Sequence, residues 1–460
     1  MIKDSDRKHI EELNFLTNQK FLINSTKDKL VVIENVAKYI LGKYHILTVV
    51  TDKQEYMYAY EDGYYTLTGR GKVLEEIEHI FQENTTNHIS NEVLNKIKRK
   101  TKVNRSEFDS VPEYLISFNN GILDIRTWTF IPHSPKYYFL SKIKTNYNPK
   151  GVCPNIEKFL KKQISDKQDL LGFQEWLGYN LYRSSKYKKA SILIGPPNSG
   201  KTVVMNLIYN LIGPENISNA SFQKLCDPMK NHATAVLYGK LANICDDLDT
   251  ERIKNVGLFK ILTGGGVLEG EKKFQDEFVF CNYAKLTFAC NKIPFPSGKE
   301  DEAYFIRWLI FKFDACPEDD INRDLLDELL KEMEGFLNYA LEGLKRLLTN
   351  NVFSNDIGWK DIRNLMMTSG SLINAFVEDT LEEKEEAIIS KEDLYDHYRI
   401  FYARRRKVDK YLKEPLQSIK KFGRDFPIYC PYVSERNLFN KKIKKQQRFW
   451  KNVSLKIEEF

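Results

Sequence analysis

The sequence has no CxxC pair and no cysteine near a pair of histidines; its seven cysteines, at 153, 226, 245, 281, 290, 316 and 430, are scattered. Neither a zinc site nor a disulfide framework is expected, and reduced intracellular thiols are the plain reading. No uninterrupted apolar stretch is long enough to cross a bilayer, and residues 1–30 are polar and charged. No membrane segment or export signal is expected. Internal repeats at solenoid spacing and low-complexity tracts are also missing. Nor does one charge dominate: 70 Lys and Arg against 63 Asp and Glu leave a formal +7, mild for a nucleic-acid binder. Only clustered charge would be informative. What is present is 42% hydrophobic and 13% aromatic residues in a chain of 460, ample for several cores.

Proline, glycine and charge punctuate the chain. Residues 1–150 mix helical patterns (LVVIENVAKYILGKY, GKVLEEIEHIFQ) with an aromatic alternation, YMYAYEDGYYTL, that reads as a hairpin turning at Asp62-Gly63. This α+β region shows no catalytic constellation. His133 in IPHSP reads as structural and Asp124 in NGILDI as a turn-former. Residues 151–190 read as a helical linker. From 191 to 345 apolar runs alternate with helices (SILIG, KTVVMNLIYNLIG, KLANICDDLD, AKLTFACNKIP, WLIFKF), which predicts a parallel sheet between helices. Residues 346–460 read as a small helical, basic module ending in LFNKKIKKQQRFWKN.

GPPNSGKT, 195–202, follows SILI and precedes VVMNLIYNLIG. The pattern GxxxxGK[ST] supplies glycines that let backbone N–H groups turn inward around a phosphate, a lysine for the β/γ oxygens and a hydroxyl for Mg²⁺. Gly195, Gly200, Lys201 and Thr202 fill those places, and the helix running to Gly213 points its N-terminus at the anion. Downstream, LANICDDLD is an apolar strand ending in acids. Asp246 is assigned to the metal and Asp247 to the attacking water, with the reverse also open. The Asp-x-Asp of 247 and 249 admits a polymerase-type metal pair, but the phosphate loop explains the acids better. AKLTFAC then ends in Asn291, either an ordinary turn residue or, given the order of motifs, a γ-phosphate sensor. VLEGEKKFQDEFVF reads as two short strands with Gly270, Glu271, Lys272 and Lys273 near the tip, a lever on a phosphate backbone or a solvated hairpin.

The run GPPNSGKT, ANICDDLD, LTGGGVLEGEKKFQDEF, AKLTFACNKIP and DEAYFIRWLIFKF resembles superfamily 3 helicases, in particular the phage/plasmid primase-helicase family that includes the poxvirus primase-helicase. The segment FNNGILDIRTWTFIPHSPKYYFLSKIKTNYNP, followed by PNIEKFL and FQEWLGYNLYRSSKYKKASILIG, is similar to the domain preceding the motor in that family. SKEDLYDHYRIFYARRRKV with FGRDF resembles its small winged-helix tail. The resemblance spans about residues 60–430.

It implies an α/β, AAA+-like P-loop ATPase core, and the α+β region, from its position ahead of the motor, is expected to act as a collar that helps a ring assemble. ATP and Mg²⁺ are the implied cofactors. Gly195, Pro196, Pro197, Asn198, Ser199, Gly200, Lys201, Thr202 and Val203 would cradle the nucleotide, with Thr202 and Asp246 on Mg²⁺. Lys272 and Lys273 would touch DNA in a central pore, and Arg307 would reach a neighbouring subunit's ATP, although outside the family it reads as an ordinary sheet-edge arginine. The implied activity is a replicative DNA helicase of a virus, plasmid or other mobile element, moving 3′ to 5′ on single-stranded DNA as a homo-oligomer, expected as a hexamer. Single-stranded and forked DNA, and a primase, polymerase or single-strand-binding protein, are the implied partners, and the cytoplasm, at replicating DNA, the implied location. Two departures stand out. The acidic pair is Asp-Asp where many such hydrolases have Asp-Glu, and the sequence ahead of the resemblance is too short for a primase domain, so priming is not expected. A contrasting reading is an origin-binding or DNA-remodelling ATPase, or a packaging motor, that does not unwind processively. Its tail cations, Arg404 to Lys407 and Lys441, Lys442, Lys444 and Lys445, would hold duplex phosphates or merely face solvent, and KIKRKTK at 96–102 is equally open.

Overall fold

The structure, a computed structural model, describes residues 26–50, 54–108, 111–227, 231–246, 256–270, 278–290, 302–316, 322, 324–370, 372–408, 415–430, 432–440 and 445–456. It begins with helix α1 (Thr26–Lys43), whose Val36, Ala37 and Ile40 recur at helical spacing and are fully buried. Strands β1 (Ile46–Val50), β2 (Glu55–Glu61) and β3 (Tyr64–Thr66) follow. Helices α2 (Gly69–Phe81) and α3 (Asn87–Lys100) then lead to β4 (Lys102–Asn104), and the sheet order is β3-β2-β1-β4. Asp62 and Gly63 both take positive φ, 48° and 93°, at the turn joining β2 to β3, as a two-residue hairpin demands. Val73, Ile77, Val93 and Ile97 close this core against α1. The basic run at 96–102 is partly engaged inside the domain: Lys96 and Lys100 both pair with Glu34, and Lys98 with Glu55 at 2.7 Å. Those hydrogen bonds, from Lys100 and then Lys96, hold the Glu34 carboxyl down at about 2.

A second sheet, β5 (Leu115–Phe118), β6 (Gly121–Asp124) and β7 (Thr129–Ile131), leads into α4 (Pro154–Gln163) and α5 (Lys167–Leu181). Asp124 accepts the Arg126 N–H at 2.9 Å. His133 lies beneath Gly63, where a Cβ would come within 2.5 Å of its ring, and Nε2 is 3.4 Å from the Asn119 carbonyl. Both residues do local structural work.

The central layer contains β8 (Ala190–Ile194), α6 (Lys201–Ile212), β9 (Ile217–Ser218), β10 (Ala242–Cys245), α7 (Val256–Gly264), the hairpin β11 (Val267–Gly270) and β12 (Phe278–Cys281), β13 (Lys285–Cys290) and β14 (Trp308–Lys312). Five strands form one sheet in the order β14-β8-β13-β10-β9, and every neighbouring pair is parallel. All of β8 is buried, with Leu193 facing one hydrophobic cluster and Ile192 and Ile194 the other. Period-two burial on both faces is why these strands read as continuous apolar runs.

Helix α8 (Met333–Asn350) covers one face together with α4 and α5. The segment expected as a linker is thus buried: Phe173, Trp176 and Leu177 are inaccessible, and Trp176 donates to Thr287 Oγ1 of β13 at 3.0 Å. A Cβ at Gly178 would stand 2.2 Å from the Ala340 carbonyl oxygen, and one at Gly343 the same distance from that of Gln174. Glycine permits this close helix contact. Ile116, Phe118 and Leu123 of the β5–β7 sheet join the same cluster.

The C-terminal part comprises α9 (Leu372–Thr380), β15 (Leu381–Ser390), α10 (Lys391–Val408), α11 (Ile419–Tyr429), β16 (Ser434–Asn440) and β17 (Lys445–Leu455), with sheet order β15-β17-β16 around Phe376, Tyr398, Phe422, Phe426 and Trp450. Beside its helices this part carries strands, and β16 and β17 pair antiparallel across the basic terminal stretch. Among the described residues no helix is long and apolar enough to cross a membrane. None of the seven cysteines is in a disulfide.

Candidate nucleotide-binding site

Because the five strands are parallel, the ends of β8, β10 and β13 share one edge of the sheet, where open α/β folds bind ligands. The chain leaves β8 at Ile194 and enters α6 at Lys201, with a tight loop between. Gly195 is required by contact: a Cβ would stand 2.5 Å from the Phe313 carbonyl oxygen. Gly200 is required by conformation, at φ +81°, with the Phe159 ring 2.9 Å from any added Cβ. Asn198 is also left-handed, at φ 64°. Alternation of this kind turns successive N–H groups toward one point, the geometry of an anion nest. Gly200 is the N-cap of α6 and makes no side-chain cap, so the first-turn amides are not satisfied in the usual way. Val204, Leu207, Ile208 and Leu211 anchor the helix in the core, and Val203 packs against it.

The Lys201 ammonium donates to the Gly195 carbonyl at 2.7 Å, the Pro196 carbonyl at 2.9 Å and Ser199 Oγ at 3.1 Å. Burial pushes its pKa below the ordinary lysine value. Ser199 is itself buried, while Pro197, Asn198 and Thr202 are exposed. Asp246 is exposed at the end of β10, two strands from β8 with β13 between them, or ~10 Å across the sheet. Asp247 lies outside the described residues. So does Asn291, which directly follows Cys290, the residue of β13 in register with Ile194.

Arg307 stands at the opposite edge. Its carbonyl accepts the Ala190 N–H at 2.7 Å, where β8 begins, and its guanidinium donates to the Ala303 carbonyl. Neighbouring Lys189 donates to the Ile306 carbonyl and pairs with Asp356, both at 2.6 Å. The length of β8, ~13 Å at a strand's rise, separates Arg307 from its own phosphate loop. The β11–β12 hairpin pairs Val267 with Cys281 through Gly270 with Phe278. Lys272 and Lys273, expected at its tip, lie outside the described residues.

One group carried no assignment from the sequence. The run RSSKYKK, 183–189, enters β8 and brings Arg183, Lys186 and Lys188 to the root of the hairpin. Its signal was a cluster of cations just ahead of an apolar strand.

Comparison with known proteins divides along the same lines. Residues 18–164 match the family model described as D5 N terminal like, and residues 193–307 match a family of unknown function, DUF5906. The second match runs from β8 to Arg307. A protein of Invertebrate iridescent virus 6 that carries the provisional name helicase 184R is 26% identical over 231 residues, 46% of this chain and 23% of that protein. The chain thus spans under a quarter of that relative's length. Among solved structures, the A form apo C-terminal region of NrS-1 gives a TM-score of 0.48 at 13% identity, covering 90% of this chain and 98% of that one. A second structure of that region gives 0.45 at 15% identity, with coverage of 91% and 99%. Through its motifs, its D5-like N-terminal region and its viral relative, the chain is similar to the phage and viral superfamily 3 helicase-like proteins.

Proposed function

We propose that the chain is an ATP-dependent DNA helicase of a virus, plasmid or other mobile element, acting as a ring, expected as a hexamer, that moves 3′ to 5′ on single-stranded DNA. The observation that carries this reading is the division of the sheet, with Gly195–Lys201 and Asp246 at one edge and Arg307 at the other. An arginine that cannot reach its own phosphate loop can reach a neighbour's, which makes hydrolysis depend on assembly.

The residues fit a nucleoside triphosphate with Mg²⁺. Gly195 and Gly200 leave space no side chain could share, and the uncapped first turn of α6 suits an anion. Mg²⁺ in such a site would be held by one or two protein oxygens together with phosphate and water. Thr202 and Asp246 would supply those oxygens. Bound Mg²⁺ would neutralise charge on the phosphates. Lys201 would exchange its loop acceptors for the β- and γ-phosphate oxygens, Asp247 would orient the attacking water and Asn291 would sense the γ-phosphate. Lys272 and Lys273 would carry the movement to DNA.

A second reading, a duplex-bound remodelling ATPase, draws support from the tail. The order α9, β15, α10, α11 and hairpin supports a winged-helix module, and α11 exposes Lys420, Lys421 and Arg424. Mixing subunits separates a ring from a monomeric switch. Arg307→Ala and Lys201→Ala chains, each inactive alone, should recover part of the hydrolysis when mixed. No recovery at any ratio would remove the finger in trans.

A further inference from the structure

A cavity of 380 Å³ opens where three parts of the chain meet: residues 111–113, the loop 183–188 ahead of β8, and the root of the β11–β12 hairpin at Gly264–Gly265 and Cys281–Tyr283. Its volume is in the range of small-ligand sites. Among the described residues, Arg183, Lys186 and Lys188 line it against one carboxylate, Glu113, which already accepts the Tyr182 hydroxyl at 3.1 Å. Lys186 and Lys188 are exposed. Arg183 is fixed between rings, 4.9 Å from the centre of Tyr283 and 5.9 Å from that of Phe139. One edge donates to the Tyr283 hydroxyl at 3.4 Å, while Nη1 is buried without a hydrogen-bond partner. What Arg183 gives the cavity it lines is a positionally fixed positive charge.

The surroundings are rigid. Ser185 Oγ donates to the Asn282 carbonyl at 2.7 Å, and the Asn282 amide holds the Leu262 carbonyl at 2.8 Å. Gly265, at φ +69°, brings the hairpin root against Ser185, whose Cβ would lie 3.0 Å from an added Cβ. Lys188 is left-handed at φ 54°, and its N–H donates to the Ser185 carbonyl at 3.0 Å. Such a fixed loop presents its cations with little ordering cost.

We propose that this cavity is a phosphate-binding pocket for the backbone of single-stranded DNA, with Arg183 as its inner cation and Lys186 and Lys188 at its mouth. The described arm β11 runs from Val267 to Gly270, ~10 Å at a strand's rise, so a polynucleotide strand lying along the hairpin passes its phosphates over the pocket at its root. The loop that holds Arg183 leads directly into β8 and from there into the phosphate loop, so it sits where a nucleotide-dependent movement would be felt. The polynucleotide as ligand rests on the DNA-motor reading above.

The test is binding of a fluorescent oligothymidylate to the full chain, without nucleotide, across a salt series, with inorganic phosphate as competitor. Arg183→Ala should weaken binding by about tenfold and lower the salt slope by about 1, and the Lys186→Ala, Lys188→Ala pair should lower the slope further. Arg183→Lys should keep the slope while losing part of the affinity. Thermal melting checks the fold, and should Arg183→Ala not fold, the exposed lysine pair carries the test. Unchanged affinity and slope in these variants, with loss only in Lys272→Ala, Lys273→Ala, would overturn the pocket and leave the motor reading standing. Failure of the wild type to bind the oligonucleotide would overturn both. Phosphate that binds through Arg183 without displacing the oligonucleotide would give the pocket to a free anion and overturn the DNA assignment.

Discussion

Lys201 and the two glycines beside it show how single residues decide this site. Lys201→Ala removes the one ammonium that reaches three loop oxygens, so ATP hydrolysis should fall by about a hundredfold or more, with DNA binding and melting temperature retained. Persistent hydrolysis would end the phosphate-loop assignment. Gly195→Ala acts through space instead, since its methyl would meet the Phe313 carbonyl at 2.5 Å. Chemical denaturation should report a loss of about 1–3 kcal/mol. Lys285 is a separate case. It is buried at the start of β13, donates to the carbonyls of Tyr182 and Tyr283, both at 2.5 Å, and lies over the Tyr179 ring. Burial holds its pKa well below 10.5. Between that lowered value and 10.5 the unfolded chain binds the extra proton, so stability must rise with pH through this window. Lys285→Met should lose that rise in denaturation curves taken at increasing pH, and an identical slope in both proteins would show that the lysine does not titrate as described. At this scale the sequence was readable wherever chemistry is local: GPPNSGKT named its own loop. Lys285 was not readable, because nothing in KLTFAC marks a lysine whose side chain turns back onto the carbonyls of Tyr283, two residues before it, and of Tyr182 at the end of α5.

Among the elements, legibility followed burial. β8, β13 and β14 are buried on both faces and read as apolar runs, whereas β15, LEEKEEAIIS, keeps its middle in solvent and is interrupted between Glu383 and Ile388. Its charges hid the strand itself. Similarly, α5 is buried nearly all round through its second half, from Gly172 to Leu181, a feature that marks a core helix where a linker was expected. The hairpin is the element on which the motor reading depends for its grip on DNA. Lys272→Ala with Lys273→Ala should leave DNA-independent hydrolysis intact and abolish unwinding, measured side by side. Unwinding at the wild-type rate would return those lysines to the solvent.

At the scale of the whole molecule, the core around α1 to α3 is distinct from the one that joins the β5–β7 sheet to the motor. Deleting residues through 104 should therefore leave a folded ATPase that assembles poorly, as gel filtration and melting would report, while deleting through 150 should strip Ile116, Phe118 and Leu123 from the motor core and destabilise it. An unchanged oligomer after the shorter deletion would remove the collar role. The most direct test of the motor itself is strand separation on matched forks bearing only a 3′ or only a 5′ single-stranded tail, with ATP and Mg²⁺, for wild type and Lys201→Ala in parallel. If the chain is a translocating helicase, wild type alone opens the 3′-tailed fork. Hydrolysis without opening of either fork would contradict that reading and favour a DNA-bound switch.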